Sequence, residues 1–172
     1  VGGYNNAVGT LRNNTTGSNN TGVGYGALVN NTTATHNVAV GYETLFSVTT
    51  NGDNTAIGNY ALRSNTGLRN VAMGYTALYA STSGSDNVAL GTTSLRFNTT
   101  GSFNVAVGKE ALRNNTTGTN NTAVGYLALY TNQTGSSNVA IGAEAAYNST
   151  SIYVTAVGRT AAYNTTTGNM CA

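Results

Sequence analysis

The chain has 172 residues, of which only 7% are charged, and its net charge of +2 provides no basic patch of the kind nucleic acid requires. It holds 22 glycines and a single cysteine but no proline or tryptophan, which excludes an internal disulfide framework. No apolar run approaches the roughly 20 residues of a membrane-spanning helix, and no charged-then-apolar signal segment opens the chain.

In chain order, one short phrase recurs at Asn5–Gly9, Asn20–Gly24, Asn37–Gly41, Asn54–Gly58, Asn70–Gly74, Asn87–Gly91, Asn104–Gly108, Asn121–Gly125, Asn138–Gly142 and Val154–Gly158. The spacings of the closing glycines run 15, 17, 17, 16, 17, 17, 17, 17 and 16. So short a period is the signature of a solenoid, in which each coil must stack on its neighbours to bury anything. Ordering a coil costs about 1–2 kcal/mol per residue, and the few aliphatics in it return roughly 1.5–3 kcal/mol each. The expected fold is all-β: one parallel β-solenoid over residues 1–172, of about ten coils of 15–17 residues. Both ends cut through a repeat, Val1-Gly2 matching its tail and Met170-Cys171-Ala172 its start. The chain is therefore read as a segment of a longer array, or as a subunit whose ends meet another.

Within each coil, the residue before the glycine is always aliphatic, and Val40, Ile57, Met73, Leu90, Val107, Val124 and Ile141 are assigned as the structural repeat core. The residue before that is always Ala or Gly, and Val or Thr usually precedes it. This alternation predicts a short strand closed by a glycine corner. A column held to Ala and Gly marks close approach, inside the coil or against a second chain, and both strand faces are expected to be buried. A second apolar beat at Leu28, Leu45, Leu62, Leu78, Leu95, Leu112 and Leu129 predicts a second short strand. Asn-Thr-Thr-Gly runs such as 98–101 and 115–118 predict the other corner. Asn at the head of each phrase, from Asn5 to Asn138, predicts an in-register amide ladder.

The Asn-Val-Ala-Val-Gly pattern resembles the head repeats of trimeric autotransporter adhesins, whose consensus runs Asn-Ser-Val-Ala-Ile-Gly. The fuller unit, Asn121 to Leu129 followed by Asn, Thr and Gly, is similar to repeats of phage tail-fibre proteins. The first resemblance implies a left-handed parallel β-roll, with three chains side by side. Together they imply a structural protein of an extracellular fibre, on a cell surface or a virion, with adhesion or surface attachment as its end use. A phage receptor-binding shaft is the alternative, and a glycan- or ice-binding solenoid the second.

The chemistry-bearing residues are sparse. Glu43, Glu110 and Glu144 share a column but lie in separate coils, Asp53 and Asp86 stand elsewhere, and His36 is a turn residue. With no pair placed for acid-base work, the chain is read as a non-enzyme without cofactor or metal. One outward stripe, Arg63, Tyr79, Arg96, Arg113, Tyr130, Tyr147 and Tyr163, with a partner column at Tyr25, Tyr42, Tyr75 and Tyr126, suits a glycan or protein receptor. The seam between neighbouring chains of a homo-oligomer is the first expectation for it. Sequons place candidate glycans at Asn98, Asn114, Asn148 and Asn164.

Overall fold

The computed structural model describes residues 9–165 and is all-β, without a helix among them. The first repeat, apart from Gly9, lies outside this range, as do Val1-Gly2, Met170 and Cys171. Nine short strands run β1 (Thr21–Val23), β2 (Val38–Val40), β3 (Thr55–Ile57), β4 (Val71–Met73), β5 (Val88–Leu90), β6 (Val105–Val107), β7 (Thr122–Val124), β8 (Val139–Ile141) and β9 (Thr155–Val157). They form one parallel sheet in sequence order, so the chain is a β-solenoid of about eight turns between successive strands. Each Ala pairs with the next Ala, as in Ala89↔Ala106 and Ala106↔Ala123. Where the period is one residue shorter the register still holds, Ala56 pairing with Ala72 and Ala140 with Ala156. In the first of these coils the missing residue is absorbed at the corner, where the usual Asn98-Thr99-Thr100-Gly101 shortens to Asn65-Thr66-Gly67.

The strands correct the expected core. Ala39, Ala56, Ala72, Ala89, Ala106, Ala123, Ala140 and Ala156 are 0% exposed and point into the coil. Val40, Leu90, Val107 and Val124 are half-buried and outward, while Ile57, Met73 and Ile141 are 39%, 41% and 42% exposed. The core column within the chain is thus Ala, and the aliphatic column lies on the outer face. The reason is volume: Leu28, Leu45, Leu62, Leu78, Leu95, Leu112 and Leu129 fill the interior from the opposite wall in one cluster with the alanines. At Gly22, the variant of the Ala column, even a Cβ would meet Thr10 Cγ2 at 2.5 Å and Leu11 Cδ1 at 3.7 Å. A thin coil holds one large side chain opposite a small one and no more.

The leucine wall is a run of turns, not the second strand that its apolar beat predicts. Alternate residues take positive φ, as at Gly41 (137°), Glu43 (47°) and Leu45 (50°). Strict alternation of handedness keeps the period of two that the sequence displays while bending the chain away from extended geometry. Backbone hydrogen bonds still tie this wall to both neighbours, from Glu43 N to Tyr25 O at 2.8 Å and from Leu45 N to Ala61 O at 3.1 Å. Gly108 shows why the corner needs glycine: φ is 127°, and a Cβ there would lie 2.6 Å from Gly125 O in the next coil.

The amide ladder is present and buried. Over most of its length, each Asn Oδ1 accepts both the backbone N–H and the Nδ2 of the next Asn, as at Asn104 onto Asn87 (3.0 and 3.1 Å) and Asn121 onto Asn104 (3.0 and 3.1 Å). Asn104 Nδ2 also donates to a corner carbonyl, Gly118 O, at 2.9 Å. A second ladder flanks the same corner, where Asn115 donates to Asn98 Oδ1 at 2.7 Å and to Gly118 O at 3.0 Å, and Asn132 to Asn115 Oδ1 at 3.2 Å. This ladder is interrupted by Val48, Ser81 and Ser149 in the same column, and that irregularity hides it in the sequence.

The residue before each ladder Asn also takes positive φ, including Phe103 at 59°. Asn and Asp tolerate this conformation, but for most side chains it costs about 1–2 kcal/mol. Phe103 is 59% exposed, and its next-coil counterpart is Asn120. Phe103→Asn is therefore expected to raise stability by about 0.5–1 kcal/mol, read from the urea midpoint. An unchanged or lower midpoint would show that Phe103 makes contacts worth more than the strain.

Candidate functional site

The outward stripe is continuous along the turn wall. Tyr130, Tyr147 and Tyr163 stack with ring centroids 5.1 and 5.0 Å apart and interplanar angles of 8° and 6°. This spacing is that of the coils themselves, because strand neighbours lie about 4.8 Å apart. Tyr25 stacks on Tyr42 at 5.5 Å, while Tyr42 meets Tyr60 edge-on at 5.3 Å. Tyr60 also meets Tyr75 and Tyr79 edge-on at 6.2 and 6.5 Å. Between the two aromatic ends lies a cationic stretch: Arg96 and Arg113 pack against Phe97 at 5.1 and 5.0 Å, and Arg113 donates to Tyr130 Oη at 2.9 Å. The structure thus joins all seven predicted stripe residues with Tyr25, Tyr42 and Tyr75 of the partner column, while Tyr126 packs under Lys109 at 5.8 Å. It adds Tyr60, Glu43 and Phe97, which stand in other columns of the repeat and escape a reading of one column at a time, and Lys109, which stands in the partner column where other coils carry Tyr.

Charges along the stripe are unevenly compensated. Arg63 Nε donates to Glu43 Oε2 at 2.7 Å, an ion pair that holds the guanidinium pKa above its ordinary value. The same carboxylate, beside the hydroxyl, pushes the Tyr42 pKa up. Burial, with Tyr130 and Tyr163 adding to it, pushes Tyr147 up as well. Arg96 and Arg113 form no ion pair with a carboxylate among the described residues, and Arg96 Nε is buried without a hydrogen-bond partner. Tyr60, Tyr75, Thr76, Tyr79, Glu43, Arg63 and Arg96 line an open recess of about 320 Å³.

The remaining predicted positions divide by burial. Asn98 is fully buried in the second ladder, its Nδ2 donating to Gly101 O at 2.8 Å, so it is inaccessible to a glycan and that candidate is withdrawn. Asn114 and Asn148 are half-buried and Asn164 is exposed, with Asn148 Nδ2 on Asn164 Oδ1 at 2.7 Å. His36 is exposed at a corner, its Nε2 3.0 Å from Asn19 Nδ2 and its Nδ1 3.9 Å from Asp53. Among the described residues, no three His, Cys, Asp or Glu side chains gather as a metal site, and no helix is long and apolar enough to cross a membrane.

These features define a β-solenoid repeat protein with an aromatic and cationic stripe on its turn wall. Compared with protein-family models, curated proteins and solved structures, the chain matches none.

Proposed function

We propose that this chain is a structural segment of an extracellular fibre or filament in which identical chains lie side by side, with adhesion or surface attachment as its end use. The outer face of the sheet carries this reading. One apolar side chain points outward at the end of each of the nine strands, from Val23 on β1 to Val157 on β9, and Val38, Val71, Val88, Val105 and Val139 add a second on five of them. A contiguous apolar stripe of this length is more than a soluble monomer ordinarily leaves in water. Because every coil repeats it, a second copy in register offers a matching surface, and closed association about one axis covers it. The repeat's resemblance to adhesin heads favours three chains. The seam then falls on the sheet face, which leaves the tyrosine and arginine stripe on the turn wall free for a receptor.

Light-scattering mass measurement tests the association. A trimer is expected at micromolar concentration, and Val107→Glu with Ile141→Glu should yield monomers that keep their β-sheet circular dichroism, since both side chains point away from the interior. A wild-type chain that is monomeric and well folded would overturn the reading.

A further inference from the structure

The pairing of Glu43 with Arg63 recurs in outline, without its acid, two coils along the array. Glu43 stands in the coil next to that of Arg63, with φ at 47°. Thr76 and Arg96 stand in the same two columns at the same separation, and φ at Thr76 is 51°. The first acid receives the Arg63 Nε hydrogen bond at 2.7 Å. At the second place both groups are idle: Thr76 Oγ1 and Arg96 Nε are buried and have no hydrogen-bond partner. Thr76 is itself only 3% exposed, and it lines the same recess as Arg96. Leaving such donors without acceptors is costly, and a guanidinium favours a planar carboxylate that meets its fork.

From this geometry we propose that the recess between Thr76 and Arg96 binds the carboxylate of an acidic pyranose, a uronic or sialic acid residue of a surface glycan. The carboxylate takes the place that the Glu43 side chain holds beside Arg63, accepting from Arg96 Nε and from the Thr76 hydroxyl. Tyr60, Tyr75 and Tyr79, set edge to face around the recess, supply apolar ring surface and hydroxyls for the rest of the sugar. This deepens the adhesive reading and rests on the turn wall remaining open in the fibre.

The test is titration of the full chain, followed by NMR or calorimetry at low salt, with methyl glucuronide, N-acetylneuraminic acid, methyl glucoside and acetate. One or both acidic sugars are expected to bind at least tenfold more tightly than the neutral sugar or acetate, and the stronger of the two identifies the source. Arg96→Gln removes the fork and should abolish binding. Thr76→Glu supplies the acid from within the chain, so it should also abolish binding while raising the melting temperature. Acetate binding as tightly as the sugars, no binding by wild type, or binding that survives Thr76→Glu would each overturn the proposal. Mass measured on the same samples keeps the fibre reading separate, because neither substitution touches the sheet face.

Discussion

Ala106→Glu is expected to abolish cooperative folding around its coil, whereas Thr117→Glu is expected to be silent. Ala106 is fully buried, paired in register with Ala89 and Ala123, on the face that meets the leucine wall. A larger side chain there overpacks the coil at about 1–3 kcal/mol, and a buried carboxylate without a partner adds several more, on the order of 3–5 kcal/mol. The sum rivals the roughly 5–15 kcal/mol that holds an ordinary domain. In a solenoid the damage is local, since each coil meets only its neighbours, so the array should break into two shorter stacks. Thr117 is exposed at a corner, where a substitution costs within about 0.5 kcal/mol. Circular dichroism during urea unfolding decides the matter. A wild-type midpoint for Ala106→Glu would mean that the Ala column does not face inward, and that the division between inner and outer strand faces is wrong.

Asn104→Ala is expected to be nearly as damaging, although it removes only a small polar side chain. Asn104 Oδ1 accepts the backbone N–H and the Nδ2 of Asn121, while its Nδ2 donates to Asn87 Oδ1 and Gly118 O. Truncation orphans donors and acceptors in an interior that water does not reach, at about 1–3 kcal/mol for each buried group left unmade. With two donors stranded on Asn121 alone, a loss of about 3–5 kcal/mol follows. Hydrogen exchange should localise it, with the Asn121 amide losing protection first. Thr117→Ala, at an exposed corner position of the next coil, serves as the surface control. A loss below about 1 kcal/mol for Asn104→Ala would show that the ladder shapes the corner without stabilising it.

The solenoid, its parallel register and the first amide ladder are legible because they repeat: Asn37, Asn54, Asn70, Asn87 and Asn104 can recur at one position only if successive coils present that position to one another. The second ladder is not legible, because Val48, Ser81 and Ser149 break its column. The stripe from Arg63 to Tyr163 is legible as a column, but its couplings to Glu43, Tyr60 and Phe97 cross columns and depend on how side chains lean between coils.

By itself the sequence determined that the chain coils at a short and nearly constant period, where each coil turns, and which residues stack on which. Periodicity carries that information, since identical environments select identical residues. Only the tertiary structure decided which strand face is inside. Ala106 and Val107 are both apolar and alternate strictly, so pattern cannot rank them; the width left beside the Leu95 and Leu112 side chains does, admitting a methyl group and turning the larger residue outward. It likewise decided that the leucine wall is bent and not extended. A period of two is common to a strand and to a chain of alternating handedness, and the difference lies in the sign of φ at Glu43 and Leu45, which hydrogen bonding between neighbouring coils imposes.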